Sequence, residues 1–563
     1  MPPSTMSEFS YEAARSYLQT AVFVDDRIYE GGLGKVIPTA SLQNPASSRK
    51  PALASAAVPA SAVLAITDSV ANDAKEHFSA QAIVVSFARE GIVCALYQPA
   101  DDSNLDGTSD ACQLCLSADI VLVDWDLHGD RGKRARCLVG ALIQRSIKDI
   151  PGQLRLVVVY TGEPNLALVL DEIFGHLSEL PGERVELARD VSGLALHTVN
   201  SRIVVLGKPG LAQITPECVV KECDLAERAI LEYSLLASGL LQGAVLHALG
   251  EIRHNTHRIL TRFDAKLDPA YLTHRVLSLP HDDAFDHVLP LVMSEVQAVL
   301  EDKLPPDYLF SDETLADWVS TQWKLPNPLP EILAGEVDPN AMIRKLLLAG
   351  PAVRKDFEAK WKDVAELKID KYEWKRGRKS SERVGICILG AAPSSAHDSF
   401  AVLASLRTHY ESATRTLHLG TILSGPDDKY FICLLPDCDC VRLNEAQKFL
   451  LIEIEPVNGG DRNFNVVVEE GTTFRRFLLS PKVFRSHVET FTPDSSLNVV
   501  KAEASGSKWI FRSTVANHEY FWLGQLKPDH AQRFAAKFAA ALARVGVTES
   551  EWLRRMGPQD SPY

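Results

Sequence analysis

The chain has 563 residues, 46% of them hydrophobic and 23% charged, with a formal net charge of −14. This is a globular composition with material for about three or four domains. Its acidic balance argues against a nucleic-acid partner, because that affinity rests on neutralising phosphates with Lys and Arg.

Residues 1 to 11 show no basic start followed by an apolar run, so no signal peptide is expected. The longest apolar stretch, Ala229 to Gly250, contains Glu232, Gln242 and His247, which suits a buried helix better than a membrane span. Ten cysteines fit a reducing compartment, and a cytoplasmic location away from membranes is expected.

Four apolar runs punctuate the first 210 residues. Ala21 to Val24 precede Asp25 and Asp26; Ile120 to Val123 precede Asp124; Leu156 to Tyr160 precede Thr161; Ile203 to Leu206 precede Gly207, Lys208 and Pro209. Another run, Ile92 to Tyr97, follows a helical segment ending at Phe87-Ala88-Arg89-Glu90-Gly91. Short Val, Ile and Leu runs without alternation read as parallel strands buried on both faces. Ligands of such sheets collect at the carboxyl ends of the strands, where each of these polar residues would sit. One edge then carries three carboxylates, a hydroxyl and an ammonium. Carboxylates so close repel one another unless a cation lies among them, and oxygen ligands without His or Cys suit Mg²⁺. A phosphoryl group at Asp124 would be clamped by that metal, Lys208 and Thr161.

This ordered set resembles the receiver domain of two-component response regulators. The resemblance implies a flavodoxin-like, doubly wound parallel sheet with Asp124 as phosphoacceptor and Asp25 and Asp26 joining Asp124 around Mg²⁺. It further implies Thr161 as the switch hydroxyl, Lys208-Pro209 as the closing motif and a histidine kinase as the phosphoryl donor. Asp119 starts the third strand, Asp124-Trp125-Asp126-Leu127 has the family's local shape and favours Asp124 over Asp126, and Gly162 leaves room for the phosphoryl group. Two departures stand out. Val205 occupies the position, three before the Lys, where many receivers carry an aromatic switch residue. A segment from about 31 to 70, rich in Ala, Pro, Ser and Gly, reads as an inserted, partly disordered loop, with the helix resuming near Ala71. A second insertion is expected at about 181 to 200.

A haloacid-dehalogenase-like phosphatase is the rival reading, because Asp124-Trp125-Asp126 is also that family's D-x-D. Asp124 would then be a covalent nucleophile and Asp126 the general acid and base. Those phosphatases place their acidic pair after the Lys, whereas here it comes first. The later pairs Asp282-Asp283 and Asp427-Asp428 lie in Pro- or Gly-flanked polar turns.

The expected domains are a receiver over 1 to 235, a helical domain over 236 to 350, a charged helix or linker over 351 to 384 and an α+β domain over 385 to 555. The first helix after Pro209 is expected to close the receiver sheet. His254 and His257, one helical turn apart, read as polar packing or a helix interface more readily than as a phosphorylation or metal pair. Lys375-Arg376-Gly377-Arg378-Lys379 reads as exposed linker, with RNA or an acidic partner as the alternative.

In the last domain, strands are expected at 417 to 423, 430 to 435, 449 to 454, 464 to 468, 509 to 512 and 520 to 523. A final helix, about 528 to 545, should place Phe534, Phe538 and Leu542 on one face. Cys112 with Cys115, and the cluster Cys433, Cys438 and Cys440, are read as core or surface thiols in preference to zinc, which needs four ligands; His418 and Cys387 could complete the second cluster only if the fold brought them together. No nucleotide loop or nucleophile elbow appears. The arrangement of embedded insertion, helical extension and β-rich tail is similar to receiver proteins of bacterial antiphage two-component systems of the Detocs type. That similarity implies a phosphoryl sink or relay restraining a separate effector protein.

Overall fold

The computed structural model describes residues 3–28, 80–180, 185–210, 218–277, 287–304, 310–324, 338–349, 394–411, 413–457, 464–506 and 508–543. The loop expected over 31 to 70, the charged segment over 351 to 384, Asp282-Asp283 and Cys387 lie outside them. The described residues divide into two compact units, one drawn from Met1–Trp323 and Glu336–Phe357, the other from Lys324–Gly335 and Glu358–Tyr563.

The first unit opens with α1 (Met6–Tyr17) and β1 (Thr20–Val24). There follow α2 (Ala80–Arg89), β2 (Val93–Tyr97), α3 (Asp110–Leu116), β3 (Ile120–Asp124), α4 (Lys133–Asp149), β4 (Arg155–Thr161) and α5 (Leu166–Ser178). A hairpin of β5 (Ala188–Arg189) and β6 (Ala195–His197) then leads into β7 (Ser201–Gly207). The sheet order is β2-β1-β3-β4-β7-β6-β5, parallel from β2 through β7.

The second insertion thus contains a hairpin, which pairs antiparallel with β7. It covers an edge that would otherwise present unpaired backbone groups. Arg202 of β7 ties it down, reaching Asp190 at 2.8 Å and the buried Glu232 at 2.7 Å.

Successive residues of each central strand serve opposite faces, as the period of two requires. Val121, Val123, Val157, Val159, Ile203 and Val205 pack with α3, α4 and α5 residues such as Cys112, Leu142 and Ile173. Ile120, Leu122, Leu156, Val158, Tyr160, Val204 and Leu206 pack with Ala14 of α1, Phe87 of α2 and Ile230 of α6 (Leu225–Ser234). Both faces are therefore covered, and α6 closes the second. The Ala229-to-Gly250 stretch is not the single buried helix expected. It breaks after Ser234, and Gly239, with extended backbone, starts α7 (Leu240–Leu260).

Helices α8 (Asp268–Leu277), α9 (Val288–Lys303), α10 (Asp312–Thr321) and α11 (Pro339–Ala349) complete this unit. The helical segment is joined to the receiver through α1 and α7, which cross so closely that two contact positions are glycine. An added Cβ at Gly243 would lie 2.5 Å from the Phe9 ring, and one at Gly250 would lie 2.6 Å from the Ser16 carbonyl oxygen. Between them the buried His247 shares a hydrogen bond with Ser16 Oγ at 3.2 Å. Arg253, further along α7, grips Asp119 through two nitrogens at 3.1 and 3.0 Å and donates to the Tyr17 carbonyl at 2.9 Å.

The second unit runs α12 (Ser394–Ser405), β8 (Thr421–Ser424), β9 (Tyr430–Cys433), β10 (Gln447–Val457), β11 (Val466–Glu470), β12 (Thr473–Leu478), β13 (Ser486–Phe491), β14 (Glu503–Ser505), β15 (Lys508–Arg512), β16 (Glu519–Gln525) and α13 (Pro528–Leu542). Its strands pair antiparallel in the order β11-β12-β10-β9-β8-β16-β15-β14, with β13 on β10. A bridge from Phe491 to Ser513 brings β13 round to the end of β15, so the sheet curls.

Here too the strands alternate. Leu423, Phe431 and Leu451 join Phe491 and Tyr520 on one side; Ile422, Ile432 and Ile452 join Phe534 and Phe538 of α13 on the other. Leu542, expected beside those two phenylalanines, is 55% exposed because α13 ends there, beyond the sheet contact. The strand expected over 417 to 423 begins only at Thr421, and the polar strands β12, β13 and β14 were not anticipated.

Because the Ser16 carbonyl cannot yield as a flexible side chain would, Gly250→Val is expected to destabilise the first unit by about 1–3 kcal/mol. Chemical denaturation checks this; an unchanged midpoint would mean that α1 and α7 do not touch there.

Candidate functional site

Register brings the polar strand ends level. Val24 of β1 pairs with Val123 of β3, Asp124 with Tyr160 of β4, and Thr161 with Gly207 of β7. Asp25, Asp124, Thr161 and Lys208 therefore meet at one edge, as their order implied. Asp25, Asp26 and Asp124 each offer an oxygen within 4.8 Å of the others, the one such acidic grouping among the described residues. Asp25, Asp124 and Thr161 are buried, and Asp26 is half-buried.

Lys208 neutralises part of this charge. Its Nζ lies 2.7 Å from Asp124 Oδ1 and 3.4 Å from Asp25 Oδ2, and its backbone N–H donates to the Thr161 carbonyl at 2.7 Å. Arg27, which the motif reading passed over, places Nη2 3.6 Å from Asp124 Oδ2. Its backbone N–H donates to Asp25 Oδ1 at 2.7 Å.

Burial first, and then the neighbouring Asp124 charge, push the Asp25 carboxyl up to about 6, against the pull of Lys208. Asp26 Oδ1 and Asp124 Oδ2 are buried without a hydrogen-bond partner among the described residues. Buried carboxylate oxygens left unsatisfied are costly, and an all-oxygen set of this kind fits a hard cation such as Mg²⁺.

The loop after β3 is braced by its own polar groups. His128, in the left-handed region at φ 56°, donates its backbone N–H to Asp26 Oδ2 at 3.0 Å. Asp126 accepts from Arg131 N–H at 2.8 Å and stands outside the carboxylate group. Trp125 is buried, and its ring fills the space where a Gly132 Cβ would lie, 2.2 Å away.

Thr161 Oγ1 accepts from Glu163 N–H at 3.0 Å, and the space beside Gly162 is open. Val205 is fully buried in the face lined by α3 to α5. The aromatic ring beside the site is instead Tyr160, with Lys208 Nζ 5.6 Å from its centroid and its hydroxyl donating to the Val220 carbonyl at 2.7 Å. No motif marks Arg27, His128 or Tyr160. Their one signal is adjacency to Asp26, Leu127 and Thr161.

The remaining candidates stand apart. Cys112 and Cys115 are buried in the receiver core, and burial pushes the Cys115 thiol up to about 12. Cys433 and Cys440 are buried in the second unit, Cys438 is exposed, and His418 meets Asp437 at 3.3 Å. His254 is exposed on α7, with Nδ1 2.8 Å from the Gly250 carbonyl.

A doubly wound sheet carrying an acidic pair, a buried Asp, a hydroxyl and a Lys-Pro at its carboxyl edge defines an α/β protein of the receiver class. Residues 17–213 match the family model of the response receiver domain, and this part of the chain is a response-regulator receiver domain. The comparison with curated proteins found no match, and neither did the comparison with solved structures. Receiver domains typically bind Mg²⁺ at an acidic pocket and interact with histidine kinases and effectors. No helix among the described residues is long and apolar enough to cross a membrane.

The raised Asp25 pKa makes stability depend on pH. The folded state holds this proton more tightly than the unfolded chain, so the contribution is full below about pH 4 and is lost as pH rises through about 6. In metal-free buffer, Asp25→Asn should therefore raise Tm at pH 8 by several degrees, with the gain shrinking toward pH 5. Added Mg²⁺ should stabilise the wild type far more than the variant. Melting curves across this range check it; a gain that does not vary with pH would contradict the raised pKa.

Proposed function

We propose that the protein is a phosphoacceptor of a two-component system, taking a phosphoryl group from a partner histidine kinase onto Asp124. The observation that carries this reading is the level meeting of Asp25, Asp26 and Asp124 with Lys208, whose Nζ lies 2.7 Å from Asp124. Asp25, Asp26 and Asp124 would hold Mg²⁺, which when bound offsets the negative charge of carboxylates and phosphoryl oxygens.

Asp124 supplies the attacking carboxylate oxygen, and the bond from phosphorus to the donor breaks with its electron pair leaving on the donor. Lys208 offsets charge on the acceptor side. Thr161 accepts from Glu163 and so retains its own hydroxyl proton for an incoming phosphoryl oxygen. The sheet holds all of these in place before the donor arrives, and preorganised charge of this kind is what phosphoryl transfer chiefly needs.

Phosphorylation then adds charge at a buried edge and alters what the attached helices and the second unit present to an effector protein. In its particular form, which rests on the resemblance of the domain arrangement alone, the protein is a phosphoryl sink or relay in defence against phage.

With Mg²⁺ and acetyl phosphate, the purified protein should form about one base-labile acyl phosphate per chain, absent in Asp124→Asn. Beryllofluoride with Mg²⁺ should raise Tm, because a ligand that binds only the folded state stabilises it by mass action. Multiple-turnover release of phosphate from small esters, lost in Asp126→Asn, would replace this reading with the phosphatase.

A further inference from the structure

Asp124 is 2% exposed, whereas the Arg27 side chain that touches it is 52% exposed and the Lys208 side chain 14%. Arg27 is thus the most solvent-facing cation in contact with the acceptor. Its guanidinium therefore meets both solvent and the acceptor, as a group arriving from solvent must. The two cations divide the carboxylate between them: Lys208 Nζ lies on Oδ1 at 2.7 Å, and Arg27 Nη2 spans to Oδ2 at 3.6 Å. At that separation Arg27 attracts the oxygen by charge without hydrogen-bonding to it. A tetrahedral phosphoryl group bonded to Asp124 extends outward and brings further anionic oxygens within reach of the planar fork. Guanidinium matches phosphate oxygens two at a time, which an ammonium does not.

The main chain fixes the approach. Arg27 N–H donates to Asp25 Oδ1 at 2.7 Å, closing a turn directly after β1, and from this turn the side chain reaches Asp124.

We propose that Arg27 is a phosphoryl-binding catalytic residue of this receiver, holding the transferring group from the solvent side while Lys208 holds the acceptor from within. This rests on the phosphoacceptor reading above. In the step concerned, an Asp124 oxygen lone pair forms the new bond to phosphorus, and the bond from phosphorus to the acyl oxygen of acetyl phosphate breaks. Acetate leaves with that electron pair, and no proton or oxidant is required. Arg27 stabilises the charge on the equatorial phosphoryl oxygens as they pass between donor and acceptor. Any phosphodonor is served, since the contact is to the phosphoryl group itself.

The test follows acyl-phosphate formation from acetyl phosphate at saturating Mg²⁺ in wild type, Arg27→Ala, Arg27→Lys and Asp124→Asn, with Mg²⁺ affinity measured separately by calorimetry. Arg27→Ala should slow acyl-phosphate formation about tenfold or more and weaken beryllofluoride binding. Its Mg²⁺ affinity should be unchanged or tighter, because a cation beside the carboxylates has been removed. Arg27→Lys should recover part of the rate. Wild-type rates in Arg27→Ala would overturn the proposal. So would a parallel loss of Mg²⁺ affinity, which would make Arg27 a prop for the turn after β1. If the wild type forms no acyl phosphate at all, the phosphoacceptor reading itself fails, and this proposal with it.

Discussion

The organising constraint of the receiver unit is the crowding of three carboxylates at one end of a parallel sheet. Asp25 is fully buried and Asp124 nearly so, which denies both the water that would screen their repulsion. Parallel register forces them together, since β1 and β3 are neighbours and both strands end at the same level. What makes the arrangement tenable is Lys208, delivered from β7 two strands away and locked by its backbone bond to Thr161. The compensation is incomplete. Asp25 keeps a raised pKa and two buried oxygens keep no hydrogen bond. A sheet with two continuous apolar faces can carry such a local deficit, and the deficit itself suits the edge to charged ligands.

That strain also explains what was legible in the sequence. Strand interiors buried on both faces must be apolar, so β1, β3, β4 and β7 announce themselves as runs, and the polar residue that ends each run is conspicuous. That Asp25, Asp26, Asp124, Thr161 and Lys208 end strands of one parallel sheet was legible from those runs; that β7 lies beside β4 and the hairpin beyond it was not.

Other elements gave weaker signals. The N-terminal helix α1 starts with Thr5 capping Glu8 N–H, a short cue easily lost among the polar residues around it. The hairpin β5–β6 is only five residues of strand in total. In the second unit, β12 and β13 carry Arg, His and Glu on a half-exposed surface, so alternation is blurred where packing is one-sided. Arg27 and Tyr160 escaped for another reason. Neither belongs to a motif, and only folding shows that a residue after the acidic pair reaches Asp124 or that the ring before Thr161 lies beside Lys208.

The missing aromatic at Val205 takes on a different meaning in this light. Val205 packs with Val159 and Val123 on the α3-to-α5 face, so a change at the acceptor meets a small, fully packed side chain there. On the opposite face the neighbours are large and polar-tipped. Lys208 lies beside the Tyr160 ring, the Tyr160 hydroxyl holds the Val220 carbonyl, and Val220 precedes α6, which packs on α1. Helix α1 in turn carries α7 through Gly243 and Gly250, and α7 reaches the amino end of β3 by the Arg253 grip on Asp119. Contacts thus run from Lys208 through Tyr160 and Val220 toward α6, and separately from α7 to the residue before β3. The β7 edge is covered by the β5–β6 hairpin, while on the other face Tyr160 bonds the Val220 carbonyl ahead of α6, which packs on α1.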